Sequence, residues 1–355
     1  MQDLTSQMTN DRANPTRLVK ILGYSIIVLI CVVSAELACR LYWQSRIPGA
    51  FLDPSRIIYN YQSNLLKSGL PDADVRRDDG YFDVLLLGGS VVSRDFGRID
   101  EYLQSGLSRG ERHVRVWNAA EAAHSSRDSW EKYRLLEAKN FNLVIVYDGI
   151  NESRFNNVEP SEFKADYSHV GWYQQINALQ RHPEVGYFAL PFTLEKMLID
   201  AGQYFGLFAG RHAGASLPNA SNRPTLTKGS FAHYIGLIVE AARRRGEPVV
   251  LVTNALYSPL STDAWLGTRL WGVPEMIEQD VSVHNDVAHR IAANAPNVAL
   301  VEMAGMIQSS RDYFTDACHL TDKGAHKWVE VFLAQLSKSA LLASAGQRSG
   351  PVTVH

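Results

Sequence analysis

Five short apolar runs constrain the fold of this chain more than any other feature: Phe82–Leu87, Val114–Asn118, Leu143–Tyr147, Pro248–Thr253 and Val298–Met303. They are short, mainly apolar runs of the kind expected for buried parallel strands. Helical stretches separate or follow them: Ser129–Lys139, Phe231–Arg245 (ending at Gly246), Met276–Ala293 and Lys323–Ala340. Strands that alternate with helices imply a doubly wound α/β fold, a mainly five-stranded parallel sheet with helices on both faces. Such sheets bind ligands outside the carboxyl ends of the strands, where the strand order reverses. Ser90, Asn151 and Asn254 fall just after strand runs, at that edge.

Ahead of the sheet, Ile21 to Trp43 is apolar apart from Glu36 and Arg40, which can pair at helical spacing or reach toward an interface. Its length suits a membrane-spanning helix, for which about 20 residues suffice. Arg12, Arg17 and Lys20 precede it and favour an N-terminus-inside orientation. A cleaved signal peptide is the alternative, with Val33-Ser34-Ala35 as its small-residue site. Tyr42 and Trp43 read as interfacial aromatics. The expected layout is a cytoplasmic segment over 1–20, an anchor over 21–43 and a linker and lead-in over 44–79. The α/β domain follows over 80–342 with an insertion over 153–228, and a disordered tail closes the chain over 343–355. Within the insertion Glu195–Phe208 patterns as an amphipathic helix and Ala209–Thr227 is rich in turn residues. A long irregular connection leaving the binding edge is expected to shape a substrate pocket.

A formal net charge of -2 gives no electrostatic footprint for nucleic acid. Cys31 and Cys39 lie in the apolar stretch, which leaves Cys318 alone in the soluble part and rules out an internal disulfide there. His284 and His289 do not match a His-Glu-x-x-His helix, and no cysteine pair has ligand spacing. No Lys-Ser/Thr follows Gly88-Gly89-Ser90 at the spacing of a phosphate loop. Neither a metal nor a cofactor is therefore expected.

The chemistry concentrates in two places. Gly88-Gly89-Ser90 ends the first strand run, and Asp316-Ala317-Cys318-His319 precedes the last helix. A serine hydroxyl is a poor nucleophile until an imidazole takes its proton, and a carboxylate must orient that imidazole. Taken singly, Ser90 reads as a turn or N-cap residue, Asn151 as a turn former and His319 as a polar residue near a helix start. Together with two further blocks they resemble the SGNH branch of the GDSL esterase/lipase superfamily. The blocks are Leu86-Leu87-Gly88-Gly89-Ser90, Asn118 to Ser129, Asp148-Gly149-Ile150-Asn151-Glu152, and Asp316 to His319, spanning Phe82 to about Trp328.

The resemblance implies Ser90 as nucleophile, His319 as base and Asp316 as its orienting carboxylate. It also implies an oxyanion hole built from the Ser90 and Ala123 amides and the Asn151 side chain. Three residues depart from the pattern. Gly89 stands where the family carries aspartate, with little chemical loss expected. Alanine replaces glycine at 123, where positive φ would strain it. Glu152 replaces the final aspartate of its block. His124 is taken as pocket lining rather than a base, and Cys318 as a buried structural thiol.

These readings lead to a membrane-anchored serine esterase without cofactor, its catalytic domain extracytoplasmic (periplasmic in a bacterium). Its partner is an acyl-ester substrate, with an acylated cell-envelope or exopolysaccharide sugar as the candidate. An O-acyltransferase using the same triad and a non-catalytic glycan-binding or assembly member are the alternatives.

Overall fold

The computed structural model describes residues 15–77, 79–108, 113–208, 223–257 and 274–339. By contacts the chain separates into two compact units, Met1–Asn60 with Ala178–Asp200, and Tyr61–Asn177 with Ala201–His355.

The larger unit holds five parallel strands, β1 (Tyr81–Gly88), β2 (His113–Asn118), β3 (Leu143–Tyr147), β4 (Val249–Val252) and β5 (Val298–Val301), in the order β2-β1-β3-β4-β5. The register sets Leu86 beside Asn118 and Ile145, so the apolar runs lie side by side. All five residues of β3 are buried, which requires cover on both faces. Ten helices accompany the strands among the described residues. They are α1 (Pro15–Gln44), α2 (Ser63–Ser68), α3 (Ile99–Leu107), α4 (Ser126–Leu135), α5 (Glu152–Phe155), α6 (Gly171–Gln180), α7 (Leu190–Tyr204), α8 (Arg223–Arg245), α9 (Pro274–Asn294) and α10 (Asp322–Leu336). α3 packs on α10, while α4 packs on α8 and α8 on α9. Strand order reverses between β1 and β3, so the loops after these two strands meet at the switch point, one ending at Ser90 and the other at Asn151.

The smaller unit is organised by the far end of α1. Trp43 is fully buried and stacks on Phe192 with ring centroids 5.7 Å apart, and its Nε1 donates to Thr193 Oγ1 at 2.8 Å. Trp43 is thus a core residue and not the interfacial aromatic its position in the sequence implied. The spare indole N–H found a hydroxyl inside the protein instead of a headgroup. Glu36 and Arg40 pair at 2.7 Å, as their spacing allowed.

The stretch after α1 showed no period, yet it is folded: Ile47, Ala50, Ile57, Leu65, Leu70 and Val75 are all buried. Short 3-10 and α turns bury single apolar residues without leaving a helical stripe to detect. In the insertion, α6 and the start of α7 appear where no helix was expected, and α7 ends at Tyr204 rather than Phe208. Residues 1–14 of the segment expected to be cytoplasmic, the turn-rich Ala209–Thr227 apart from the start of α8, and the tail over 343–355 lie outside the described residues.

Candidate active site

Ser90 opens a single 3-10 turn, Ser90–Val92, immediately beyond β1, and is buried. At the other end of the domain the segment before α10 folds back on itself through a bridge between Phe314 and Leu320. Asp316 organises this loop. Its Oδ1 accepts the amides of Cys318 and His319 at 2.9 and 2.8 Å, and its Oδ2 lies 2.6 Å from His319 Nδ1. The Asp-x-x-His spacing lets one carboxylate bind the loop amides and the imidazole at once. Burial raises the pKa of Asp316, but the hydrogen bonds from the His319 ring and the two amides outweigh it and hold the carboxyl below the ordinary aspartate value. The other ring nitrogen, His319 Nε2, lies 2.7 Å from Ser90 Oγ. Two side chains 229 positions apart in sequence therefore stand in direct hydrogen-bond contact. The Phe96 ring stacks on His319 with centroids 4.3 Å apart and fixes its plane.

The second block forms the opposing wall. Asn118 ties two loops together, its Nδ2 donating to Val92 O at 2.8 Å and its Oδ1 accepting from Ala120 N at 3.0 Å. A turn follows, closed by His124 N donating to Glu121 O at 3.3 Å, with Ala123 at φ 63° in its third position. A turn with positive φ only at that position is type II, where glycine is the usual residue. Ala123 keeps the N–H that an oxyanion hole needs, at the conformational cost of a Cβ in the left-handed region. Among the described residues neither the Ser90 nor the Ala123 amide donates to a backbone carbonyl. Ala123→Gly is expected to raise stability by about 1 kcal/mol, equivalent to about 2–4 °C in Tm for a domain of this size. Turnover should stay within about twofold because the donor is retained. Thermal melts would show a lower Tm if the strain is not there.

Asn151 is buried at the start of α5, and its Nδ2 donates to His124 O at 2.7 Å, which leaves the second N–H of that amide for a ligand. This contact also accounts for Gly89. A Cβ there would sit 2.5 Å from Asn151 Nδ2 and 3.2 Å from His124 O, so glycine is what lets the three loops converge. Motif comparison treated Gly89 as a lost carboxylate and missed the space it provides. Glu152 accepts from Ser126 N at 2.5 Å and so caps α4, which also carries a Ser125–Asp128 capping box. Trp172 and Tyr173 of α6 donate to Asp128 at 3.1 and 2.6 Å and brace the same wall. Phe96, Trp172 and Tyr173 carry no sequence signal of these roles, since each pairing is long-range.

Asn254 stands apart from the site residues. Its Nδ2 donates to Asp148 O at 2.7 Å and its N–H to Asn285 Oδ1 at 2.7 Å, so it pins the loop around Gly149. His124 is buried, and burial together with Lys132 pushes its pKa down to about 3, which suits a neutral wall residue and not a base working near neutrality. Asp316, Cys318 and His319 bring ligand-type atoms within 4.8 Å of one another. Burial first, and Asp316 second, raise the Cys318 pKa well above the ordinary value, so the thiol stays protonated. Asp316 and His319 already bind each other. A metal would need the thiolate and would have to break that pair.

At the sequence level the chain matches no family model and no curated protein. Among solved structures it is similar to a GDSL-like lipase from Bacteroides thetaiotaomicron, at 12% identity over 81% of this chain and 99% of that one, with a TM-score of 0.43. It is also similar to an acetylxylan esterase from Geobacillus stearothermophilus, at 13% identity over 74% of this chain and 96% of that one, with a TM-score of 0.42. An α/β hydrolase enzyme from the metagenome of Lake Arreo, Spain, gives 15% identity over 72% and 94%, with a TM-score of 0.42. Likeness at this level transfers neither substrate nor residue roles.

Proposed function

We propose that this chain is a serine ester hydrolase in which Ser90 attacks the acyl carbon, His319 takes its proton and returns it to the leaving alcohol, and Asp316 holds the imidazole. The observation that carries this reading is the unbroken relay from Asp316 through His319 to Ser90, with gaps of 2.6 and 2.7 Å. The amides of Ser90 and Ala123 and the free N–H of Asn151 would receive the negative charge of the tetrahedral intermediate, each worth about 3 kcal/mol. A non-catalytic glycan-binding role would leave no reason for a hydroxyl and an imidazole to meet at the strand-order switch.

The substrate we favour is an acylated sugar. A cavity of about 150 Å³ beside the loops that carry Ser90 and Ala123 is lined by Asn64, Lys67, Ser93, Arg94, Asp95 and Glu121 among others. Such groups match hydroxyls better than an alkyl chain. The apolar part of α1, Val19–Gln44, is long enough to cross a bilayer. In this reading it is an uncleaved anchor with its N-terminus inside, which places the α/β domain outside the cytoplasm, facing envelope polysaccharide. A fluorophosphonate probe on the purified full chain is the direct test. Mass spectrometry should find the adduct on Ser90 alone, and an adduct elsewhere would discard the nucleophile assignment.

A further inference from the structure

The far end of α1 does not simply leave the membrane for a water-facing domain. Counted from Ile21, where the apolar run of α1 begins after Lys20, a rise of about 1.5 Å per residue puts Glu36 about 22 Å and Arg40 about 28 Å along the helix. A bilayer's hydrocarbon is about 30 Å thick, so this ion pair falls at its far boundary. Protein groups satisfy the pair. Glu36 accepts from Ala189 N at 3.0 Å and Leu190 N at 2.9 Å, and Arg40 donates to Phe51 O at 3.1 Å and Tyr187 O at 2.6 Å. Charges that cannot rely on water need such internal partners.

Beside the pair lies an apolar groove of about 630 Å³, in which aliphatic side chains of α1 from Leu29 to Leu37 face Phe51, Leu52, Phe188 and Leu190. Leu52 is 86% exposed and Tyr187 75%. The first part of α7 is apolar on its exposed side as well as its buried one. It buries Phe192 and Ile199 with Thr193 and Lys196, and it turns Leu194, Met197 and Leu198 outward, with Leu198 70% exposed. An apolar belt of this kind, continuous with a spanning helix, is the geometry of a surface-lying membrane element.

We propose that the smaller unit is sunk into the leaflet from which the C-terminal end of α1 emerges, with lipid acyl chains filling the groove and covering Leu52, Phe188, Met197 and Leu198. The proposal rests on α1 being a retained anchor. The anchor is then a helix with a lipid-embedded collar rather than a flexible tether.

The test uses the full chain in vesicles of phosphatidylethanolamine and phosphatidylglycerol, with Cys31, Cys39 and Cys318 replaced by alanine. Single nitroxide labels go on Val28→Cys, Phe188→Cys, Leu198→Cys and Glu330→Cys, each chain checked for native helicity by circular dichroism. Labels at 28, 188 and 198 should collide readily with oxygen and lose most of their collisions with a water-soluble nickel chelate, while 330 does the reverse. If 188 and 198 are as open to nickel as 330 while 28 is shielded, the collar is overturned and the anchor stands. If 28 is open as well, the anchor reading fails and takes the collar with it. Dipolar coupling between 198 labels that vanishes on dilution with unlabelled chain would show that a second copy covers the belt, and would also overturn the proposal.

Discussion

Ser90→Ala will lower kcat/KM for a small chromogenic acetate ester by on the order of 10⁴- to 10⁶-fold, and His319→Ala will do the same. Among the described residues the Ser90 hydroxyl is the partner of His319 Nε2, at 2.7 Å. Cys318, the one nearby thiol, is buried and kept neutral, so it cannot substitute as nucleophile. What remains after the substitution is the stabilisation offered by the oxyanion donors, which act on a water attack as well. Stability should fall by no more than about 1 kcal/mol, the net worth of one hydrogen bond. The double variant should be no worse than either single one, because nucleophile and base act as a unit. Turnover by Ser90→Ala within tenfold of the unaltered chain would refute the mechanism.

The second large effect runs against motif logic. Gly89→Asp, which supplies the aspartate of the resembled family, should reduce kcat by about 10²- to 10³-fold. The new Cβ would land 2.5 Å from Asn151 Nδ2, and the amide would have to swing away from the position where it donates to His124 O. The proposed oxyanion hole then loses its side-chain donor and the Ala123–His124 turn loses a support. Asn151→Ala should cost a similar factor by removing the donor outright. The two losses share one cause, so Gly89→Asp combined with Asn151→Ala should be little worse than Asn151→Ala alone. If Gly89→Asp instead matches or improves on the native rate, Asn151 is not the residue that Gly89 protects.

The sheet was readable because buried parallel strands must be apolar on both faces. Leu143–Tyr147 matches its observed bounds, and the other four runs err by one or two residues at their ends. Positions at strand ends were readable as candidates, since every parallel strand delivers the loop after it to the same edge of the sheet. What escaped were contacts that no local pattern encodes. Trp172 bracing Asp128 and Phe96 stacking on His319 join segments whose approach only the folded chain defines. Trp43 was misplaced because an amphipathic ring near a helix end fits a membrane interface and a protein core equally well. Asn254 shared the right edge, yet its amide holds a neighbouring loop. Proximity to the strand ends therefore identifies candidates but does not say which of them face a ligand.

The double duty of Asp316 gives the loop a chemical asymmetry. One oxygen is bound to two main-chain amides, so only the other can face the ring. Because that face can only accept, Nδ1 must carry the ring proton and Nε2 must present its lone pair toward the hydroxyl. The short span between acid and base thus works as a tautomer selector, set by the turn itself before any substrate arrives. The carboxylate itself stays ionised, and so stays an acceptor, until the medium passes below the range in which aspartates ordinarily protonate, since its carboxyl is held below that range.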